Sequence, residues 1–537
     1  MVGTVLGVTA VVGLAWPQLP VPLWLDEATS VVYVRAPWSQ FVQVVTGPEL
    51  NQVLYHLLLR PWAALVSSPA ALRAPSLVFS VATVVAAADA GRRLFLLLPR
   101  PGRALAPVAG AVAALAAGTN GMVAAYGADA RGYSLELFLV TASIAALLRL
   151  IARPRTRTAV VWGLLAGLAA YAHFFALLPW IASLVAVVAA LPASRVPRRL
   201  LLVSLVPVVV LVVPIAVYVA TGNGNTAWVG SPTTGRFTSA LAVIAGGDAG
   251  GQQAGTVGVL VAQAAVLVLV GLVGCGLVDL VHTARRTGRS TATFVTALPL
   301  ALVGVPFVLA LVVGFAYPVF FSRYLIVCVP GVVLLVATAV ARRLTPDLRP
   351  VPADGARPGP WVPGTGREKV VATAATLGLV AGGGLVGLGV VGSSRCTHGA
   401  CVRENWSAVA ERISGRARPG DVVAVYQADT VRPYLAAVGA LPASRRAPIA
   451  RELVWPVPGP YDPAGARVQA PLVTTVAAAR PSRVWLVLSH VTQTGRAGTV
   501  SRLVADLTAR YGKPTRKDLR GVAVLLFAGR TPATRGR

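Results

Sequence analysis

The chain has 537 residues, is 55% hydrophobic and only 12% charged, and carries a formal net charge of +29. Apolar stretches of bilayer length recur through most of it, which excludes an ordinary soluble protein and defines a polytopic membrane protein. The basic excess lies in short loops between apolar runs, so it reads as a topology signal and not as a nucleic-acid surface.

Run length predicts spans at 2–18, 73–90, 105–122, 134–150, 159–173, 176–192, 200–220, 256–280, 292–314, 324–341 and 370–392, about eleven helices in all. The first run lacks the basic start and the small-residue cleavage site of a removable signal. Segment 50–66, "LNQVLYHLLLRPWAALV", carries Asn51, His56 and Arg60 at helical spacing and reads as an interfacial helix lying on the membrane.

Under this layout the loops "GRRLFLLLPRPGR", "RLIARPRTR", "SRVPRR", "TARRTGR" and "RRLTPDLRP" share one face, which is therefore cytoplasmic, with the N-terminus inside. The loops around Asp26 and Glu27, Tyr126–Tyr133, His173, 221–255 and Phe315–Arg323 fall outside. Loop 221–255, rich in Gly, Asn and Thr, reads as mobile. An odd span count puts residues 393–537 outside as well.

The predicted organisation is a transmembrane domain over 1–392, with a first outer loop at 19–72 and a Pro/Gly/Arg-rich cytoplasmic loop at 342–369. An extracytoplasmic domain follows over 393–537. Its segments "DVVAVYQ", "RVWLVLSHV" and "VAVLLFAG" alternate like strands, and "ENWSAVAERIS" and "GTVSRLVADLTARYG" read as amphipathic helices, which together predict a layered α/β domain. Cys275 and Cys328 lie in apolar runs and read as core thiols. Cys396 and Cys401 flank "THGA", and a disulfide between them requires the oxidising side of the membrane. His398 alone does not complete a metal-ligand set with them.

The topology gathers a polar set on the outer face: Asp26, Glu27, Glu49 and Asn51, then Tyr126, Asp129, Arg131 and Tyr133, then His173, then Arg323 and Tyr324. Each has a plain structural account. Asp26–Glu27 ends a helix in water, the arginines snorkel, the tyrosines form an interfacial belt, Asp129 and Arg131 pair, His173 packs in a core, and Glu49–Asn51 caps a helix. The conjunction is what favours a site: carboxylates in one loop and Arg–Tyr pairs in two others, all on one side. Two arginines suit bidentate binding of a phosphate, and Tyr126 and Tyr324 supply hydroxyls or a stacking face. The chain has no Walker loop and no dinucleotide glycine fingerprint in its membrane part.

The stretches "WLDEATS", "ELNQVLYHLLLRPW", "LRAPSLVFSVATVVAAADAGRRLF", "AYGADARGYSLELFL" and "FFSRYLIVCVPGVVLL", in that order, resemble the GT-C membrane glycosyltransferases. The similarity covers about residues 1–340 and points to the protein O-mannosyltransferase-like (glycosyltransferase family 39) and aminoarabinose-transferase-like branch; the tail is similar to those of actinobacterial relatives. The resemblance implies an enzyme that moves a sugar from a polyprenyl-phosphate donor at the outer face of the cell membrane. It implies that Asp26 is the catalytic base and that Glu27 is the adjacent acid of the acceptor site. Glu49 stands where the family has an acid in an Asp-x-Asn or His-Pro-Pro stretch. Tyr126, Asp129 and Arg131 match a Tyr-x-x-Glu-x-Arg pattern with Asp in place of Glu.

An inverting transfer from a lipid phosphate needs one general base and, because the phosphate leaves readily, no general acid. Arg131, Arg323 and Tyr324 are then the donor phosphate-binding residues, and Glu49, Asn51, Tyr126, Asp129, Tyr133 and His173 bind substrate. A divalent ion bridging carboxylates to phosphate is chemically possible, but the branch resembled works without one, so no metal cofactor is expected. The expected partners are the polyprenyl-linked sugar (mannose or arabinofuranose), an envelope glycan, lipid or protein acceptor, and membrane lipids. Two other classes remain open: a flippase for lipid-linked glycans, and a membrane scaffold whose tail binds a partner.

Overall fold

The computed structural model describes residues 1–343, apart from 48, 100–101, 222–228, 230 and 247–255, and residues 404–529, apart from 426–430, 447–453, 456–480, 490–496 and 520. Contacts group the chain into two units. One comprises Met1–Leu19, Gly47–Tyr55 and Arg73–Ser393; the other comprises Pro20–Thr46, His56–Leu72 and Ser394–Arg537.

The first unit is helical. After α1 (Val2–Ala15) the chain forms α2 (Leu25–Arg35), α3 (Trp38–Val45) and α4 (Val53–Leu65), which fall largely in the second unit. The first unit resumes with α5 (Pro69–Leu96), α6 (Ala106–Thr119), α7 (Gly121–Gly127), α8 (Tyr133–Ala152), α9 (Thr156–Ala170) and α10 (Leu177–Ala190). It continues through α11 (Arg198–Ala220), α12 (Thr234–Ile244), α13 (Thr256–Thr287), α14 (Thr291–Ala316) and α15 (Val329–Arg343).

Among the described residues seven helices are long and apolar enough to cross a membrane, and shorter apolar helices at Val2–Gln18, Thr156–Ala170 and Phe174–Ala190 fall on three further predicted spans. The last predicted span, 370–392, lies outside the described residues, as do Cys396, Cys401, His398 and nearly all of loop 342–369.

Small residues let these helices approach closely, as lipid-embedded packing requires. A Cβ on Gly118 of α6 would lie 2.1 Å from the carbonyl oxygen of Gly7 on α1, so a larger side chain there would force the two helices apart. Arg73, fully buried near the start of α5, donates to the carbonyls of Gln18 (3.0 Å) and Leu19 (2.8 Å) and fixes where the chain leaves α1. At the opposite end of α5, Asp89 accepts from Arg93 (2.7 Å) and Arg149 (2.8 Å), which ties the C-terminal ends of α5 and α8 together. Arg289 likewise donates to the carbonyls of Val188 and Leu191 at the end of α10.

Two expectations change. Cys275 is exposed on α13 and is not a core thiol, whereas Cys328 is buried. The reason is physical: an apolar run on a lipid-facing helix points its side chains outward, so apolar neighbours do not imply a protein core. Within loop 221–255, Thr234–Ile244 form helix α12, whose N-cap Thr233 accepts from the Arg236 amide at 3.3 Å, while 222–228, 230 and 247–255 lie outside the described residues.

In the second unit, α2 and α4 are stitched through the polar face expected to lie on the membrane. His56 meets the Ser30 hydroxyl at 3.3 Å. Arg60 of α4 donates to the carbonyls of Val34 and Ala36 at the end of α2 (2.7 and 3.0 Å). Arg35 of α2 donates to the carbonyls of Ala63 and Val66 at the end of α4 (3.3 and 2.7 Å). Each arginine thus caps the other helix's C-terminus, where unpaired carbonyls and the negative end of the helix dipole favour a cation.

The tail carries a five-stranded sheet in the order β2-β1-β3-β5-β4. Its strands are β1 (Val422–Val425), β2 (Val454–Trp455), β3 (Arg483–Ser489), β4 (Thr515–Leu519) and β5 (Val522–Ala528). The β2-β1-β3 half is parallel and the β3-β5-β4 half antiparallel. The alternation of β3 sends Trp485 and Val487 to a core with helices α16 (Trp406–Ser414) and α17 (Val431–Ala440). Val484, Leu486 and Leu488 point the other way, against α18 (Ala497–Tyr511). The result is the layered α/β domain that the strand alternation predicts. Helix α17 also packs on α2, where the Arg432 guanidinium sits 5.0 Å from the centre of the Tyr33 ring.

Candidate functional site: a buried cationic and aromatic cluster

Three short segments of the first unit are held together by backbone bonds. The Gly132 amide donates to Gln52 Oε1 at 3.1 Å, and the Leu54 amide donates to the Tyr171 carbonyl at 3.0 Å. Gly132 is required at this junction, because a Cβ there would meet the Ala172 carbonyl at 2.7 Å. Asn120 caps α7 by accepting from the amides of Met122 and Val123 (3.0 and 3.3 Å), which fixes the helix that carries Tyr126.

On this frame, Arg131 and Glu49 form an ion pair at 3.6 Å, longer than a hydrogen bond, with Arg131 only 9% exposed. Asp129 is buried beside them in sequence, and its carbonyl accepts from the Arg131 amide at 2.8 Å. Tyr126 and Tyr133 approach to 4.6 Å between ring centres, Tyr133 and His173 to 5.4 Å, and His173 and Tyr324 to 4.7 Å. Phe175 completes the wall at 5.2 Å from Tyr324, and Arg323 lies 4.8 Å over the Phe321 ring, itself against Tyr324. Four stretches far apart in sequence thus build one aromatic-walled cluster, which brings together Glu49, Tyr126, Arg131, Tyr133, His173, Arg323 and Tyr324. Asn51 lies in the 3-10 turn Leu50–Gln52 and makes no side-chain hydrogen bond among the described residues; its neighbour Gln52 makes the structural contact.

The cluster contains a residue that the sequence reading passed over. Glu136 is fully buried on α8, one turn beyond Tyr133 on the same face, and among the described residues neither of its carboxylate oxygens has a hydrogen-bond partner. His173 Nδ1 lies 3.5 Å from its Oε1. That nitrogen also receives the Phe175 amide at 3.4 Å. Two acceptor atoms facing each other in a buried site are costly to keep, which marks the pair as a position with a task. The signal was present in "YSLELFL": an acid inside a predicted span is costly and marks a working position.

In the second unit, Asp26 and Glu27 occupy the first turn of α2, where the positive end of the helix dipole favours carboxylates. Glu27 is fully buried, and its Oε2 accepts from the Trp24 amide at 3.2 Å, the reciprocal bond of a capping box. Asp26 is half-exposed, and its carbonyl accepts from the Ser30 hydroxyl at 3.0 Å. Among the described residues no group of three or more His, Cys, Asp or Glu is arranged to hold a metal ion.

No family model and no curated protein matches the chain. Solved structures do. ArnT from Cupriavidus metallidurans in the apo state superposes with a TM-score of 0.53 at 14% identity, covering 98% of each chain. The same protein bound to undecaprenyl phosphate gives 0.52 at 14% identity over 99% of each chain. The Archaeoglobus fulgidus oligosaccharyltransferase in the apo form gives 0.50 at 12% identity, over 99% of this chain and 74% of that one. The chain therefore has the GT-C fold of polytopic helical membrane proteins, with a tail domain that is partly sheet.

Proposed function

We propose that the chain is an inverting glycosyltransferase of the outer membrane face that moves a sugar from a polyprenyl-phosphate donor to a hydroxyl acceptor. The observation that carries this reading is the cluster of buried Arg131, half-buried Arg323 and tyrosines inside a fold shared with a protein solved bound to undecaprenyl phosphate. In this reading Arg131, Arg323 and Tyr324 hold the donor phosphate, and Glu49, Asn51, Tyr126, Asp129, Tyr133 and His173 contact the sugar or acceptor. Asp26 takes the proton from the acceptor hydroxyl. The acceptor oxygen then bonds to the anomeric carbon with inversion, and the bond from that carbon to the phosphate oxygen breaks. The negative charge left on the polyprenyl phosphate is neutralised by the arginines, which is why no general acid is assigned. Glu27 keeps the base's helix turn in shape, and Glu136 positions His173. No required metal is assigned.

The outer-face assignment rests on the basic loops after α5, α8, α10 and α13, which are read as cytoplasmic. Under the same topology the tail lies outside, where it serves acceptor recognition. The sugar is mannose or arabinofuranose, and the acceptor is an envelope glycan, lipid or protein.

Two substitutions test the reading. Asp26→Asn is expected to lower turnover with a polyprenyl-phosphate sugar by about 10²–10⁴-fold while donor binding stays intact. Wild-type turnover in the purified variant would remove Asp26 as the base. Arg131→Ala is expected to weaken donor binding about 10²-fold and acceptor binding much less; equal losses on both would remove its phosphate role.

A further inference from the structure

The α2–α4 hairpin holds two cations that the catalytic reading leaves unused. Arg35 and Arg60 both line a cavity of about 590 Å³ at the C-terminal ends of the two helices, with Ala63, Ala64, Leu65 and Ser67. Among the described residues neither guanidinium has a carboxylate within 4.0 Å. Their reciprocal caps place them against two helix C-termini, which together carry roughly one negative charge against two positive ones. About one positive charge is left over in the groove.

Geometry leaves that charge usable. Arg35 spends Nε and Nη2 on carbonyls and Arg60 spends only Nη1, so among the described residues Nη1 of Arg35 and Nε and Nη2 of Arg60 bond to no acceptor. The caps, and the Trp38 and Phe41 rings 5.2 and 4.5 Å from the Arg60 guanidinium, hold both cations in place before any ligand arrives. The rim is apolar and open: Leu65, which lines the cavity, is 80% exposed, and Trp38, whose ring faces Arg60, is 61% exposed. A soluble anion would use the cations and ignore this rim. A lipid uses both, its phosphate on the arginines and its chains along Leu65 and Trp38.

We infer that this groove seats the phosphate of an anionic membrane phospholipid. A phosphodiester bears one negative charge, which matches the uncompensated charge of the groove. A zwitterionic headgroup brings a second cation towards two arginines and fits less well. The inference concerns binding alone and stands whether or not the chain transfers sugars.

The test is lipid retention by the full-length protein, delipidated in detergent and read by native mass spectrometry. Phosphatidylglycerol, phosphatidylcholine, polyprenyl phosphate and inorganic phosphate are offered separately. Phosphatidylglycerol is expected to bind about tenfold more tightly than phosphatidylcholine. Ser67→Asp adds a carboxylate at the exposed rim without touching either cap and is expected to erase that preference. Arg35→Gln, which keeps a donor for one carbonyl and removes the charge, is expected to do the same. Equal binding of the two phospholipids, or an unchanged preference in both variants, overturns the inference. So does retention of polyprenyl phosphate with no phosphatidylglycerol, which would make the groove a donor channel. Inorganic phosphate binding as tightly as phosphatidylglycerol overturns it too, since the apolar rim would then contribute nothing.

Discussion

The two units of the molecule bury carboxylates in opposite ways. In the tail, Glu404 accepts from the Trp406 indole at 2.7 Å and from the Ser489 hydroxyl at 2.8 Å. Asp421 Oδ2 accepts from the Arg418 amide, the Arg483 guanidinium and the Trp485 indole, at 3.0, 2.8 and 2.8 Å. In the membrane unit, Glu136 has no hydrogen-bond partner among the described residues and lies 3.5 Å from His173. A buried carboxylate gripped by several donors is part of the scaffold, even where, as at Asp421, one oxygen (Oδ1) finds no partner among the described residues. A carboxylate left with no donor raises the energy of the fold and persists only where it has a task.

That contrast makes opposite predictions for stability and activity. Glu136→Leu removes a buried acid with no hydrogen bond, so the melting temperature is expected to hold or rise. Turnover is expected to fall about 10–100-fold, because His173 loses the group that orients it. Glu136→Gln, which still offers an amide proton to His173 Nδ1, is expected to recover part of that loss. A variant that unfolds while the surviving fraction turns over normally would place Glu136 with the scaffold and break the contrast.

Asp421→Ala is the converse. It strands Arg483, whose side chain is 13% exposed and paired at 2.8 Å, and leaves the Trp485 indole without its acceptor. The expected cost is about 3 kcal/mol of tail stability, read by denaturant unfolding. Turnover per folded molecule is expected to stay within about twofold, since a scaffold acid contributes no chemistry. A catalytic loss without a stability loss would sink the assignment.

The sequence made these two acids unequally readable. Spans are legible because lipid demands only length and apolarity, and the tyrosines and Arg131 are legible because they crowd one short loop. Glu136 was hidden by the same rule, one acid inside a run that qualifies as a span. Gln52 was hidden because its partner is a backbone amide, and no side-chain pattern encodes that. The helices α2 and α4 are short, and their stability comes from packing and reciprocal caps, which local propensity does not report. In the tail, β1, β3 and β5 alternate visibly, while the charged edge strand β4, "TRKDL", has no apolar face to announce it.

The smallest effect has the opposite sign, and it sits inside the tail. Tyr434 is fully buried in the α17 core, yet among the described residues its hydroxyl has no hydrogen-bond partner. Burial pushes its ionisation well above the usual tyrosine range. Tyr434→Phe deletes only the unsatisfied group and keeps the ring, so the tail is expected to gain up to about 1 kcal/mol. The sign with pH follows from linkage. The folded pKa lies above the unfolded one, so the stability from keeping Tyr434 neutral is fully present below pH ~10. It is lost as pH rises from there towards the folded pKa, because the unfolded chain sheds the proton first. The gain from Tyr434→Phe should therefore widen above pH ~10 when the two unfolding curves are compared. A variant less stable than wild type at neutral pH would mean that the hydroxyl has an acceptor in solution, and that the tail leaves none of its buried polar groups unpaid at this position.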